Sequence, residues 1–133
     1  YQKKTLMKKM LFLLVAISIC LNCSDPDRDD LLGVSIRLSN VSQYDFKNVI
    51  INTSTGDRSF GDLDAGQSSD YQIFTLAYRY AFIELEIGGQ TFTLQPIDYA
   101  GETPLENRLY TYQLNANDSN EQYGRLSLTL IED

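Results

Sequence analysis

Residues 83–94 read Ile-Glu-Leu-Glu-Ile-Gly-Gly-Gln-Thr-Phe-Thr-Leu, and no other stretch constrains the fold so sharply. Apolar and polar residues alternate on both sides of Gly88-Gly89, the period of a strand with one buried face. Two glycines between alternating runs make a two-residue hairpin turn, whose central residues need positive φ. With the turn placed there, Ile87 faces Gln90, Leu85 faces Phe92 and Ile83 faces Leu94 on one side of the ribbon. Glu86 meets Thr91 and Glu84 meets Thr93 on the other. A slip of one residue sets the glutamates against Phe92 and Leu94, so the register is well specified.

The same period of two recurs along the chain. Val34, Ile36 and Leu38 alternate with Ser35, Arg37 and Ser39, a half-buried strand. Residues 46–53 form a second strand, with Val49, Ile50 and Ile51 covered on both faces. Residues 60–63 and 70–76 form a third and a fourth, separated by turn-rich segments. Residues 95–107 hold two prolines and Gly101 and read as a long loop. A final hairpin uses residues 108–115 and 123–131, joined through residues 116–123. Leu126, Leu128 and Leu130 point inward there, and Tyr110 and Tyr112 share the face of Leu114. No stretch holds a helical period over three turns; the nearest, residues 75–82, is short and aromatic. Seven or eight strands at regular spacing predict an all-β fold, a single antiparallel β-sandwich, Ig-like or transthyretin-like, over residues 32–133. The chain of 133 residues holds one ordinary domain, and a domain of roughly 100 residues buries a core without disulfides.

The start of the chain is of another kind. It begins at Tyr1, so residues 1–6 are expected to be a fragment end or upstream read-through, with Met7 the better start. Lys8 and Lys9 then precede Met10–Ile19, ten uncharged residues. That run suits a secretory signal and falls well short of the roughly 20 residues that span a bilayer; a retained membrane helix is the minor alternative. The only cysteines, Cys20 and Cys23, close the run. After them comes Ser24-Asp25-Pro26-Asp27-Arg28-Asp29-Asp30, a charged stretch that resists folding and serves as an extended spacer.

These residues resemble a bacterial lipoprotein signal, in which a cysteine preceded by a small residue is lipidated and becomes the first mature residue. Cys20 follows the bulky Ile19, whereas Cys23 follows Asn22. The resemblance therefore implies a signal peptide over residues 1–22, lipidation at Cys23 and a tether over residues 23–31. Ser24, Asp25, Asp27, Asp29 and Asp30 are similar to the acidic surface-export tag of Bacteroidota lipoproteins, with Pro26 and Arg28 interrupting it. The implied location is the outer membrane, lipid-anchored and facing the exterior, with the periplasmic face as the alternative. A single acyl chain binds a membrane only marginally; by the same resemblance a mature lipoprotein carries three. From Cys23 onward the chain also resembles small uncharacterised lipoproteins with one β domain after the tether, a likeness that implies no activity.

Charge and composition bound the function. Of 11 basic residues, Lys3, Lys4, Lys8 and Lys9 precede Cys23, and all 18 acids follow it, so the mature part carries a formal −11. Such a surface repels phosphates, and nucleic acid is not an expected partner. There is no histidine, and no cysteine beyond Cys23, so the commonest nucleophile–base pairs and zinc ligand sets are missing. No cofactor, metal or catalytic residue is expected.

Two segments are candidates for ligand contact. Tyr78, Arg79 and Tyr80 are suited to stacking on a sugar ring or anchoring a protein partner if exposed; the core reading is preferred. In the loop after the glycine hairpin, Asp98, Tyr99 and Glu102 form a candidate polar patch. Paired carboxylates at a set separation across a cleft mark a hydrolase, but a sandwich of this size is not expected to build a cleft. Asn115–Glu121 carries oxygen ligands at alternate positions without the EF-hand pattern, and reads better as a turn. The expectation is a non-catalytic binding module for a protein or glycan of the envelope, tied to the membrane by its lipid. A structural subunit of a larger outer-membrane assembly is the alternative, and a small hydrolase the least supported.

Overall fold

The computed structural model describes residues 32–133; the expected signal peptide, the expected lipidation site Cys23 and the residues read as an export tag, Ser24, Asp25, Asp27, Asp29 and Asp30, lie outside the described residues. Eight strands follow one another: β1 Val34–Asn40, β2 Phe46–Asn52, β3 Asp57–Leu63, β4 Gln72–Phe74, β5 Phe82–Ile87, β6 Gln90–Leu94, β7 Leu109–Ala116 and β8 Leu126–Glu132. No helix occurs among the described residues. The strands form two four-stranded sheets, ordered β4-β1-β7-β8 and β3-β2-β5-β6. Hairpins β2–β3, β5–β6 and β7–β8 each stay within one sheet, and every other connection passes between sheets.

The glycine hairpin forms as read. Ile87 pairs with Gln90, Leu85 with Phe92 and Ile83 with Leu94, while Glu86 and Glu84 face Thr91 and Thr93. Gly88 and Gly89 take φ of 58° and 82°, the left-handed values that a twist-matched two-residue turn demands. Ile83, Leu85 and Phe92 are fully buried.

The expectation of a purely antiparallel sandwich is corrected at one ladder. β1 runs parallel to β7, with Ile36 beside Tyr110 and Leu38 beside Tyr112, and antiparallel to β4. Parallel neighbours need a long connection to bring the chain back in the same direction. Between β1 and β7 the chain visits the opposite sheet twice, which supplies that length.

In β2 the buried residues are Phe46, Val49 and Ile51, a spacing of three and then two. The extra residue is absorbed by register shifts against both neighbours. Asn48 sits there with φ 51°, a conformation that Asn tolerates better than most residues. Ile50 is half-buried, so β2 alternates after the bulge and is not covered on both faces.

The two sheets bury their inner faces in one cluster, a sandwich-like arrangement. Tyr112, Phe46, Phe74 and Phe92 are its largest fully buried side chains. Among the described residues the buried apolar side chains form one cluster running from Val34 to Leu126, so residues 32–133 carry a core of their own. One buried polar residue ties the layers together. Asn40 donates from Nδ2 to the carbonyls of Tyr44 (2.7 Å) and Leu63 (3.0 Å), and its Oδ1 accepts from the Ser42 N–H (3.0 Å) and hydroxyl (2.7 Å). The Asn40 side chain thus bonds groups on the β1–β2 turn and at the end of β3, and the Ser42 hydroxyl shares the Tyr44 carbonyl with it (3.2 Å).

Candidate functional site

Residues 75–81 link β4 to β5, and residues 95–108 link β6 to β7. Neither segment belongs to a ladder, so its backbone groups need other partners. Thr53 Oγ1 donates to the Leu76 carbonyl (2.8 Å), and the Leu105 N–H donates to the Ala77 carbonyl (2.9 Å). The Tyr112 hydroxyl, reaching from the core, donates to the Tyr78 carbonyl. Tyr99 Oη donates to the carbonyl of Asn52 at the end of β2 (3.3 Å). These bonds stitch the two linkers to each other and to both sheets.

The linkers bring the two predicted contact segments together. Tyr78 is half-buried and stacks on Tyr99, with ring centroids 4.6 Å apart and planes 15° from parallel. Burial pushes the Tyr99 phenol above its ordinary value. Tyr80 is 48% exposed, and the Arg79 guanidinium lies 6.0 Å from its ring centroid. The core reading therefore fits Tyr78 in part, and the exposed reading fits Tyr80. Asp98 accepts the Ala100 N–H (3.0 Å) as a turn former. The Glu102 N–H donates to the Tyr99 carbonyl (3.0 Å), closing the same turn.

The expectation that so small a domain builds no cleft is not upheld. Tyr80, Asp98 and Glu102 line an open cavity of about 460 Å³ together with Leu94, Pro96, Ile97 and the Leu126–Leu128 segment of β8. Its walls are apolar, and its acidic groups are the two carboxylates. A second hollow of about 560 Å³ shares Glu102 and is lined by Arg79, Arg108, Glu106, Leu130 and Glu132. There Arg108 is engaged by Glu106 (2.8 Å) and Glu132 (2.6 Å), which hold its guanidinium above its ordinary range. Both hollows open where β8 forms the edge of its sheet and the 95–108 linker passes beside it.

Sequence reasoning missed the part of β8 in this site. Leu126 and Leu128 read as plain core, and of the two only Leu126 is buried. It also missed Arg125, which is buried with its guanidinium 4.5 Å from the Tyr44 ring centroid and 4.6 Å from that of Phe92. Within residues 115–121, Asn117 Oδ1 accepts the Ser119 N–H (2.9 Å) and Ser119 Oγ accepts the Glu121 N–H (3.2 Å). That is turn chemistry.

No family model matches the chain. No curated protein matches it. Among solved structures it is similar to one described as the NMR structure of the protein from Eubacterium rectale, at 12% identity and a TM-score of 0.49, over 81% of this chain and 94% of that one.

Proposed function

We propose that this protein is a lipid-anchored cell-envelope protein whose β domain is a non-catalytic binding module, with a protein partner preferred to a glycan. The observation that carries the binding reading is the convergence of Tyr80, Asp98 and Glu102 on one apolar, open cavity, the usual form of a recognition site. A glycan platform calls for tyrosines side by side. Tyr78 instead stacks on Tyr99, leaving Tyr80 as the exposed ring at the cavity. For the fold, the transthyretin-like alternative is favoured. In the immunoglobulin order the first, second, fifth and fourth strands share a sheet, whereas here the first shares its sheet with the fourth, seventh and eighth.

The anchor rests on Cys23 and the tag Ser24, Asp25, Asp27, Asp29 and Asp30, with the outer face of the outer membrane as the location. Cys23→Ser is expected to abolish lipid labelling and release the protein, and release by Cys20→Ser alone overturns the assignment. Pulldown of the tethered protein from intact cells, with a glycan array of the soluble domain as control, tests the module. Recovery of one stoichiometric envelope protein supports it, and array binding without a protein partner reverses the preference. The assembly-subunit reading draws on one observation, the exposed Ile73 (50%) and Ile131 (38%) on the β4-β1-β7-β8 sheet, with Tyr71 (38%) just before β4.

A further inference from the structure

The four sheet edges are not alike. A strand edge presents unpaired N–H and C=O groups, and proteins blunt it by shortness, bulges, charge or a cover. β4 is three residues long, and its edge is engaged by β3: Arg58 Nη1 donates to the Ile73 carbonyl (2.9 Å) and Gln72 Nε2 to that of Ser59 (3.0 Å). β3 carries register shifts against β2 and exposes Asp57 and Asp62. β6 is covered by the β7–β8 connection, where the Thr93 N–H donates to the Gln122 carbonyl (2.8 Å). β8 has seven residues, with no bulge and no charge before Glu132, and the 95–108 linker beside it leaves the two hollows open along its edge.

The register identifies which groups β8 leaves open. The Asn117 N–H donates to the Arg125 carbonyl and the Asp133 N–H to the Leu109 carbonyl, both at 3.0 Å. In an antiparallel ladder hydrogen-bonded pairs alternate with non-bonded ones. The pairs Asn115–Ser127, Gln113–Thr129 and Thr111–Ile131 are therefore the bonded ones. Leu126, Leu128 and Leu130 aim their N–H and C=O groups outward, and no backbone partner meets them among the described residues. Their side chains line the two hollows in turn, Leu126 and Leu128 the first and Leu130 the second. A strand added beside β8 directs alternate side chains to that same side.

We infer that the β8 edge takes up an extended segment of a partner protein by strand addition, with a Lys or Arg side chain of that segment in the first cavity at Asp98 and Glu102. The charge argues for the basic residue. The first cavity is lined by two carboxylates and no basic residue, and neither carboxylate forms an ion pair among the described residues. A long basic side chain lays its methylenes on Leu94, Leu126 and Leu128 and carries its charge to the acids. The main chain supplies affinity and the pocket selectivity, as in other strand additions. A second copy of this chain fits less well, since its own β8 holds no Lys or Arg and its surface carries the same acidic excess. The inference rests on the binding-module reading, and its test separates the two.

The probe is a random decapeptide library displayed on phage and selected on the 32–133 domain, followed by amide exchange on isotope-labelled domain with the enriched peptide. Enriched peptides are expected to alternate apolar and polar residues and to carry a Lys or Arg. Exchange at Leu128 and Leu130 slows by about tenfold or more, roughly 1.4 kcal/mol, while Ser127 and Thr129, already bonded to β7, change little. Asp98→Asn with Glu102→Gln weakens the peptide by about tenfold, as does replacing its basic residue. Leu128→Pro deletes an outward N–H and is tolerated on an edge; Thr129→Lys, on the solvent face, guards against that variant failing to fold. Enriched peptides that bind without protecting Leu128 and Leu130 overturn strand addition and leave the binding module standing. Self-association that protects those amides without peptide overturns it in favour of a second copy. No enrichment overturns it as well, with the cell pulldown left to decide the module.

Discussion

Tyr112 connects the core to the site, and its removal gives a test with a sign that changes with pH. The side chain is fully buried and its hydroxyl donates to the Tyr78 carbonyl. Tyr112→Phe deletes that bond and leaves the carbonyl without it, at a cost of about 1–2 kcal/mol near neutral pH. Burial pushes the phenol well above its ordinary 10.0, with Tyr99 nearby adding to the shift. A folded-state value above the unfolded one means full stability below pH 10 and loss as pH rises beyond it, because only the unfolded chain releases the proton. At pH 11 the unfolded tyrosine is mostly ionised, and this group alone removes about 1.4 kcal/mol from the wild type. Tyr112→Phe has no such proton, and the other tyrosines cancel in the comparison. The wild-type advantage of about 1–2 kcal/mol at pH 7 should therefore shrink to near zero at pH 11. Urea unfolding at both values measures it. With nine Tyr and no Trp, ultraviolet difference absorbance also follows tyrosinate directly. An advantage that stays constant between the two pH values refutes the claim that Tyr112 is held protonated by burial.

Three further outcomes are expected. Asn40→Ala removes four side-chain hydrogen bonds and takes the Asn40 partner from the Leu63 carbonyl and the Ser42 N–H, while the Tyr44 carbonyl keeps the Ser42 hydroxyl; a loss of about 3 kcal/mol in urea unfolding is expected. Arg125→Ala takes a guanidinium from between Tyr44 and Phe92 and should lower stability by about 2 kcal/mol. Arg125→Met keeps much of the volume and removes a buried Nε–H that has no partner among the described residues, so thermal unfolding should place it above the alanine variant. Gly88→Asn should be close to neutral in urea unfolding, since Asn-Gly suits the same turn, whereas Gly88→Val should cost about 1–2 kcal/mol at φ 58°.

What was legible in this chain is what neighbours in sequence decide. The period of two marks Val34–Leu38 as a strand because each side chain's face depends only on its own position, and the Gly88-Gly89 turn sets its register within twelve residues. Strand order is of another kind. Nothing in β1 states that it will lie parallel to β7, because that neighbour is chosen by the path of all the chain between them. The bulge in β2 was readable in principle: Phe46 and Val49 stand three apart, and Asn48 between them tolerates a left-handed backbone. Arg125 was not, since its burial depends on Tyr44 and Phe92, rings brought from two other elements. The candidate site follows the same division. Tyr80, Asp98 and Glu102 were visible within two unusual segments, one aromatic and one a proline-bounded loop, each a local fact. Their meeting beside Leu126 and Leu128 requires that β6 and β8 both end their sheets on that side of the sandwich. The proposed recognition at such a place would belong to topology, and on that proposal a substitution that reshapes the order or edge of the strands alters binding while leaving every contact residue in the sequence unchanged.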